Sequence, residues 1–197
     1  VLRRRRKKRG EQEEKRTFLT PVKHFWKRLV GVLRHPIDTF EAIRYENQGS
    51  YGDMIVIMLF YTILSVISEY CVSFIYRGGS PLEFINPGIT VAISLLPWLV
   101  ICVVNYGVTT IMYGEGRFRD VLIGGAYCHT PLMLLILPLS LLTHWLTLQE
   151  QSLYNLIFTL IYIWIVILVY LCIKSVHGFH PVKALVVFFI TAVGVAA

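Results

Sequence analysis

The pattern of apolar and polar positions divides the chain into three unequal parts. Residues 1–19, VLRRRRKKRGEQEEKRTFL, form a charge run with no apolar face to bury, which predicts a solvated, disordered tail. From Thr20 the pattern changes. Val22, Phe25, Trp26, Leu29, Val32 and Leu33 recur at spacings of three and four, with Lys23, Lys27 and Arg28 on the other face, which is the period of an amphipathic helix. Thr20-Pro21 supplies its start, a hydroxyl N-cap followed by proline at the first helical position, and Pro36 ends it. Ile37, Phe40 and Ile43 mark a second short amphipathic helix reaching about Glu46. Residues 20–46 are therefore expected to lie along the membrane–water boundary. Trp26 would sit at headgroup level, and Lys23, Lys27 and Arg28 would face anionic lipid.

The third part, residues 47–197, carries five apolar segments at roughly 54–76, 89–113, 120–143, 152–173 and 182–197. The first four are at least as long as the ~20 residues a helix needs to cross ~30 Å of hydrocarbon, and the fifth is near that limit. Lipid offers no partners to backbone polar groups, and these runs are too long and continuous for barrel strands. The predicted fold is an all-α, multi-pass membrane protein: a bundle of five transmembrane helices with interfacial amphipathic helices at its N-terminal side.

Composition agrees, with 55% hydrophobic and only 16% charged residues and a mean hydropathy of +0.61. The net charge of +7 belongs to one end, because residues 1–50 hold 14 Lys/Arg against 6 Asp/Glu and residues 51–197 hold 5 against 6. Loop charges set the orientation. With the N-terminus inside, the 114–120 loop (Arg117, Arg119) and the 174–183 loop (Lys174, Lys183) fall inside too. The outer loops, 77–88 and 144–151, hold one basic residue, Arg77. The expected placement is the plasma membrane, N-terminus cytoplasmic and C-terminus outside. The first apolar run begins about 50 residues in, unlike a secretory signal.

Polar groups at membrane depth are the candidates for chemistry. Glu69 is the one acid well inside an apolar run, and the plain expectation is a hydrogen-bonded carboxyl. His129, in AYCHTP, is expected to bond a neighbouring Tyr, Thr or a carbonyl freed near Pro131; a titratable pair with Glu69 is the sharper alternative. Asn105 is expected to join two helices by a hydrogen bond. In the turn YGEGRFRDVL, glycines shape the bend and Arg117 and Arg119 hold it at the inner surface as lipid or partner contacts. HGFHP (177–181) is expected to be a solvated inner loop. Cys71, Cys102, Cys128 and Cys172 fall singly in apolar runs and read as buried apolar thiols. No nucleophile elbow, zinc-helix motif, phosphate loop or carboxylate pair is present, so no enzymatic activity, cofactor or metal is expected. Anionic lipid is a nearer polyanion than nucleic acid for the basic tail, and an acidic cytoplasmic partner is a further expectation for it.

Three stretches carry a resemblance: RHPIDTFEAI (34–43), NYGVTTIMYGEGRFRDVLIGGAYCHTPLML (105–134) and SVHGFHPVKALVVFFITAVGV (175–195). The chain resembles the Yip family, the Ypt-interacting-type membrane proteins with a cytoplasmic N-terminus and five membrane segments. The shared feature is a glycine-containing basic turn followed by a Tyr and a Pro on the third helix, here Gly114, Gly116, Tyr127 and Pro131. The Asp-Leu-Tyr/Trp-Gly-Pro type sequence of members that act with Rab GTPases is missing, and the short form is more similar to the bacterial members. That resemblance implies association with a membrane complex, many bacterial members being expected beside carbohydrate ABC permeases. The resulting expectation is an accessory or scaffold subunit that packs against other integral membrane proteins. The alternatives are an autonomous small transporter or channel lined by Glu69, Asn105 and His129, and a membrane-shaping or trafficking protein.

Overall fold

In the computed structural model, which describes residues 25–46, 49–77 and 85–196, all regular structure is helical. Two short helices open it, α1 (25–34) and α2 (Pro36–Tyr45), with His35 between them. Six more follow: α3 (Tyr51–Cys71), α4 (Pro87–Ile111), α5 (Phe118–Cys128), α6 (Thr130–Leu142), α7 (Gln151–His177) and α8 (Pro181–Ala196). The predicted tail, the Thr20-Pro21 start and Lys23 lie outside the described residues.

Among the described residues, four stretches are long and apolar enough to cross a membrane: Tyr51–Cys71, Pro87–Ile111, Phe118–Leu142 and Leu148–His177. The fifth, α8, has 16 residues, or about 24 Å at ~1.5 Å per residue, somewhat less than ~30 Å of hydrocarbon. Helix ends follow local chemistry. Ser50 caps α3 through its hydroxyl to the Gly52 N–H (3.1 Å), while Asp53 reaches back to the Ser50 N–H (3.4 Å). Asn86 caps α4 the same way, with Pro87 in the first turn. Gly178, in the left-handed region at φ 64°, ends α7.

The third segment is not one helix, as its unbroken hydropathy suggested, but two, joined at His129. Pro131 has no N–H to give the Tyr127 carbonyl, and the Thr130 hydroxyl takes that carbonyl at 2.7 Å. The His129 N–H shifts to Ala126, and its Nδ1 then donates to the vacated Gly125 carbonyl at 3.0 Å. Every carbonyl that the break releases here finds a donor within its own turn.

The broken segment is the core. Of its membrane window 56% is buried, against 22–28% for the other three. α5 packs on α2, α3, α4 and α7, α6 lies against α3, and α8 leans on α4 and α7. Val121, Ile123, Ala126, Tyr127 and Cys128 of α5 sit in the main apolar cluster. Outward-facing Leu, Ile, Val and Phe on α3, α4, α7 and α8 remain exposed, a surface suited to lipid and not to water.

The first two helices correct the sequence reading. Leu29, Val32, Phe40 and Ile43 are all within 2% of full burial, in the same cluster as α5. Their apolar stripe docks on one end of the bundle, a partner that the boundary placement expected from the sequence does not name. Periodicity reveals that a stripe exists, but lipid and protein are equally apolar partners for it.

Candidate functional site

Most of the charged residues among those described gather at the end of the bundle that carries α1 and α2, with Glu69, Arg77 and Glu150 lying toward the other end. Arg28, projecting from α1, donates through Nη2 to Asp53 Oδ2 on α3 (2.6 Å) and through Nε to the Tyr127 hydroxyl on α5 (3.0 Å). Tyr127 in turn donates to the same Asp53 oxygen (3.3 Å). The Arg28 and Asp53 side chains are 14% and 15% exposed. The expectation that Arg28 faces lipid is corrected accordingly: its guanidinium points inward because an acid and a phenol converge there. Lys27 and Trp26 stay exposed on the outer side of α1.

A second node holds α2. Arg44 pairs with Glu115 in the 112–117 turn, reaches the Ser175 carbonyl (3.4 Å) and lies over the Tyr45 ring at 4.5 Å. Beneath the turn sits His177, 2% exposed and stacked on Phe179 at 5.5 Å. Thus HGFHP is not the solvated loop expected: His177 ends α7 in the interior, Phe179 is buried, and only Gly178 and His180 of those between His177 and Pro181 are exposed. A Cβ on Gly114 or on Gly116 would come within 2.7 Å of His177 Nδ1. Those glycines serve this close approach, because neither has a positive φ; the left-handed residue of the turn is Tyr113 (φ 55°). Phe118 edges the Tyr106 ring at 5.1 Å, and Asp120 is buried in the first turn of α5.

The two arginines of the turn have different roles. Arg119 donates to the Gly49 carbonyl (2.6 Å) and lies over the Tyr51 ring (5.4 Å), tying the entry of α3 to the start of α5. Arg117 is exposed at the N-terminus of α5.

The polar residues at membrane depth separate. Glu69 accepts from the Thr90 hydroxyl at 2.6 Å, joining α3 to α4. Asn105 donates to Thr191 at 3.3 Å, joining α4 to α8. His129 bonds Gly125 and stands 5.3 Å from the Tyr61 ring. Asn105 and His129 line one cavity of about 90 Å³, while Glu69 lies apart, bonded to Thr90. Glu69 lies 18 residues into α3 and His129 11 residues past Phe118, so about 10 Å of depth separates them at ~1.5 Å per residue. Cys102, Cys128 and Cys172 line the same cavity as free thiols, with Cys71 half-buried elsewhere.

Sequence reasoning missed Asp53, Arg44 and His177. Asp53 had a signal, the Ser50-x-x-Asp53 capping pattern before an apolar run. Arg44 and His177 had none, since each depends on a residue more than 60 positions away.

The family model described as the Yip1 domain matches residues 30–197. No curated protein and no solved structure matches the chain.

Proposed function

Because that match spans far more than half of its length, the chain belongs to the Yip1 domain family, and on that premise we propose a non-enzymatic accessory or scaffold subunit of a larger membrane complex. The observation that carries this reading is the double attachment of α1 and α2 to the bundle, through Arg28–Asp53–Tyr127 and Arg44–Glu115. These nodes hold the exposed Trp26, Lys27, Arg34 and Arg117 as a fixed set on one end of the molecule. By charge, that end faces the cytoplasm of the plasma membrane and the C-terminus faces outside. Its contacts are anionic lipid headgroups and neighbouring integral membrane proteins. The resemblance to bacterial members nominates the permeases of a carbohydrate ABC importer as those neighbours.

The membrane-depth polar groups support a structural role, since Glu69, Asn105 and His129 each serve a separate intramolecular bond. A transport path would need them to converge, and Glu69 does not.

The test is recovery of partners from native membranes in mild detergent, followed by mass spectrometry. Permeases and an ATPase should co-purify with the wild type. Arg117→Ala should reduce that recovery by about fivefold, the equivalent of about 1 kcal/mol for one exposed charge contact. Arg119→Ala should instead destabilise the chain, because its guanidinium is committed to Gly49. Recovery of the chain alone would sink the subunit reading.

A further inference from the structure

α4 and α7 pack on α5 and α8 but make at most marginal contact with each other. The space between them is a cleft of about 310 Å³, walled by Ile101, Ile165, Val169, Ile173, Phe188 and Ala192 among others. Ile101, Ile165, Val169 and Ile173 also line the 90 Å³ cavity beside Trp98, so the two spaces meet along one rim. The cleft's one hydroxyl-bearing wall residue, Thr191, already accepts from Asn105. What remains is hydrocarbon on every side.

From this geometry we infer that the cleft is a binding site for a single acyl chain of a membrane lipid. Ile173 lies four residues from the end of α7 and Val195 fourteen from the start of α8, so the cleft runs from about 6 to about 21 Å below the α1–α2 surface at ~1.5 Å per residue, across the middle of ~30 Å of hydrocarbon where only acyl chains reach.

Volume fixes the occupant. A helix ~10 Å wide filling that span would displace more than about 1,000 Å³, which exceeds the about 710 Å³ of empty space between the walls. A cavity of ~150 Å³ lined by apolar side chains admits a benzene ring, so the cleft takes about a dozen chain carbons and the inner cavity a few more. Filling it restores the dispersion contacts that the facing walls of α4 and α7 lack. It also wedges α8, whose packing partners are α4 and α7, against the bundle.

Trp98 reports on the site: it is 7% exposed and lines the inner cavity. In a chain with Trp26, Trp145 and Trp164 replaced by Phe, reconstituted in phosphatidylcholine bilayers brominated along the acyl chains, Trp98 emission should be largely quenched relative to unbrominated bilayers. Ala192→Phe puts a ring in the cleft and should restore the emission. Val169→Phe, on the shared rim, serves as the second blocking variant where the first unfolds. Equal emission in the two bilayers, or quenching that neither folded blocking variant relieves, would overturn the site. Native mass spectra should show one phospholipid retained per wild-type chain and none in the blocked variants; a wild-type spectrum without bound lipid also counts against it.

Discussion

Replacing Asp53 with alanine should lower the unfolding free energy by about 3 kcal/mol and free α1 from the bundle. The reasoning is electrostatic. Arg28 keeps only a seventh of its side-chain surface in contact with solvent, and its guanidinium is held at 2.6 Å from Asp53. Removing one partner of a buried pair leaves the other desolvated and unpaired, at a cost of about 3–5 kcal/mol. The residual exposure of both groups argues for the lower end of that range. The hydroxyl of Tyr127 then loses its acceptor as well. Arg28→Ala should cost a similar amount, and the double variant should cost clearly less than the two single losses added, since the charges disappear together. Unfolding in detergent or bicelles with all four chains of this cycle measures it. Strict additivity would show that the pair contributes nothing to docking α1.

The second large effect belongs to Gly124. A Cβ there would stand 2.5 Å from Cys172 Sγ, too close for any real contact, with Val176 and Phe40 at 3.6 and 3.9 Å behind it. Gly124→Ala should therefore push α5 from α7 and cost about 1–3 kcal/mol, the range for overpacking a filled core. Cys172→Ala removes the obstructing sulfur. The double variant should recover most of the loss, helped by alanine's helix propensity, which exceeds glycine's by ~1 kcal/mol. Gly107 is the control, because nothing lies within 4 Å of a Cβ built there; Gly107→Ala should be neutral or mildly stabilising. Thermal unfolding of the four chains decides it, and a Gly124→Ala chain as stable as Gly107→Ala would contradict the packing described.

Much of the architecture was legible because membrane helices announce themselves by length and hydropathy. The segments expected at 89–113 and 182–197 appear as Pro87–Ile111 and Pro181–Ala196. The first segment sits earlier than its apolar run, at Tyr51–Cys71 instead of 54–76, because the charged Asp53 is the third residue of the helix, its carboxylate turned back to the Ser50 N-cap. The fourth runs on to His177, past Lys174, because a helix can continue beyond the apolar run until Gly178 stops it. The break at His129 is half visible in the sequence: a bond from the imidazole to a carbonyl freed near Pro131 is expected, and that carbonyl is Gly125, but the division of the segment into two helices is not.

The site was less legible, for a physical reason. An amphipathic stripe gives the direction of an apolar face but not what lies opposite, so α1 and α2 read as lipid-facing when α2 packs on α5 and α7 and α1 is tied to Asp53 and Tyr127. Likewise a basic residue in a turn reads as a surface contact. Arg119 and Arg28 turn inward because Gly49, Asp53 and Tyr127 reach the same place from distant parts of the chain.

The central claim is that α1 and α2 form a fixed platform with the bundle, and amide hydrogen exchange of residues 25–45 in lipid nanodiscs tests it most directly. Docked helices open only when the nodes break. Exchange across α1 and α2 should thus be as slow as in the exposed α8, and should accelerate in α1 on Asp53→Ala while α2, held by Arg44, stays protected. Fast exchange through both helices in the wild type would contradict the account, leaving α1 and α2 loosely attached and the exposed Trp26, Lys27, Arg34 and Arg117 without a common frame.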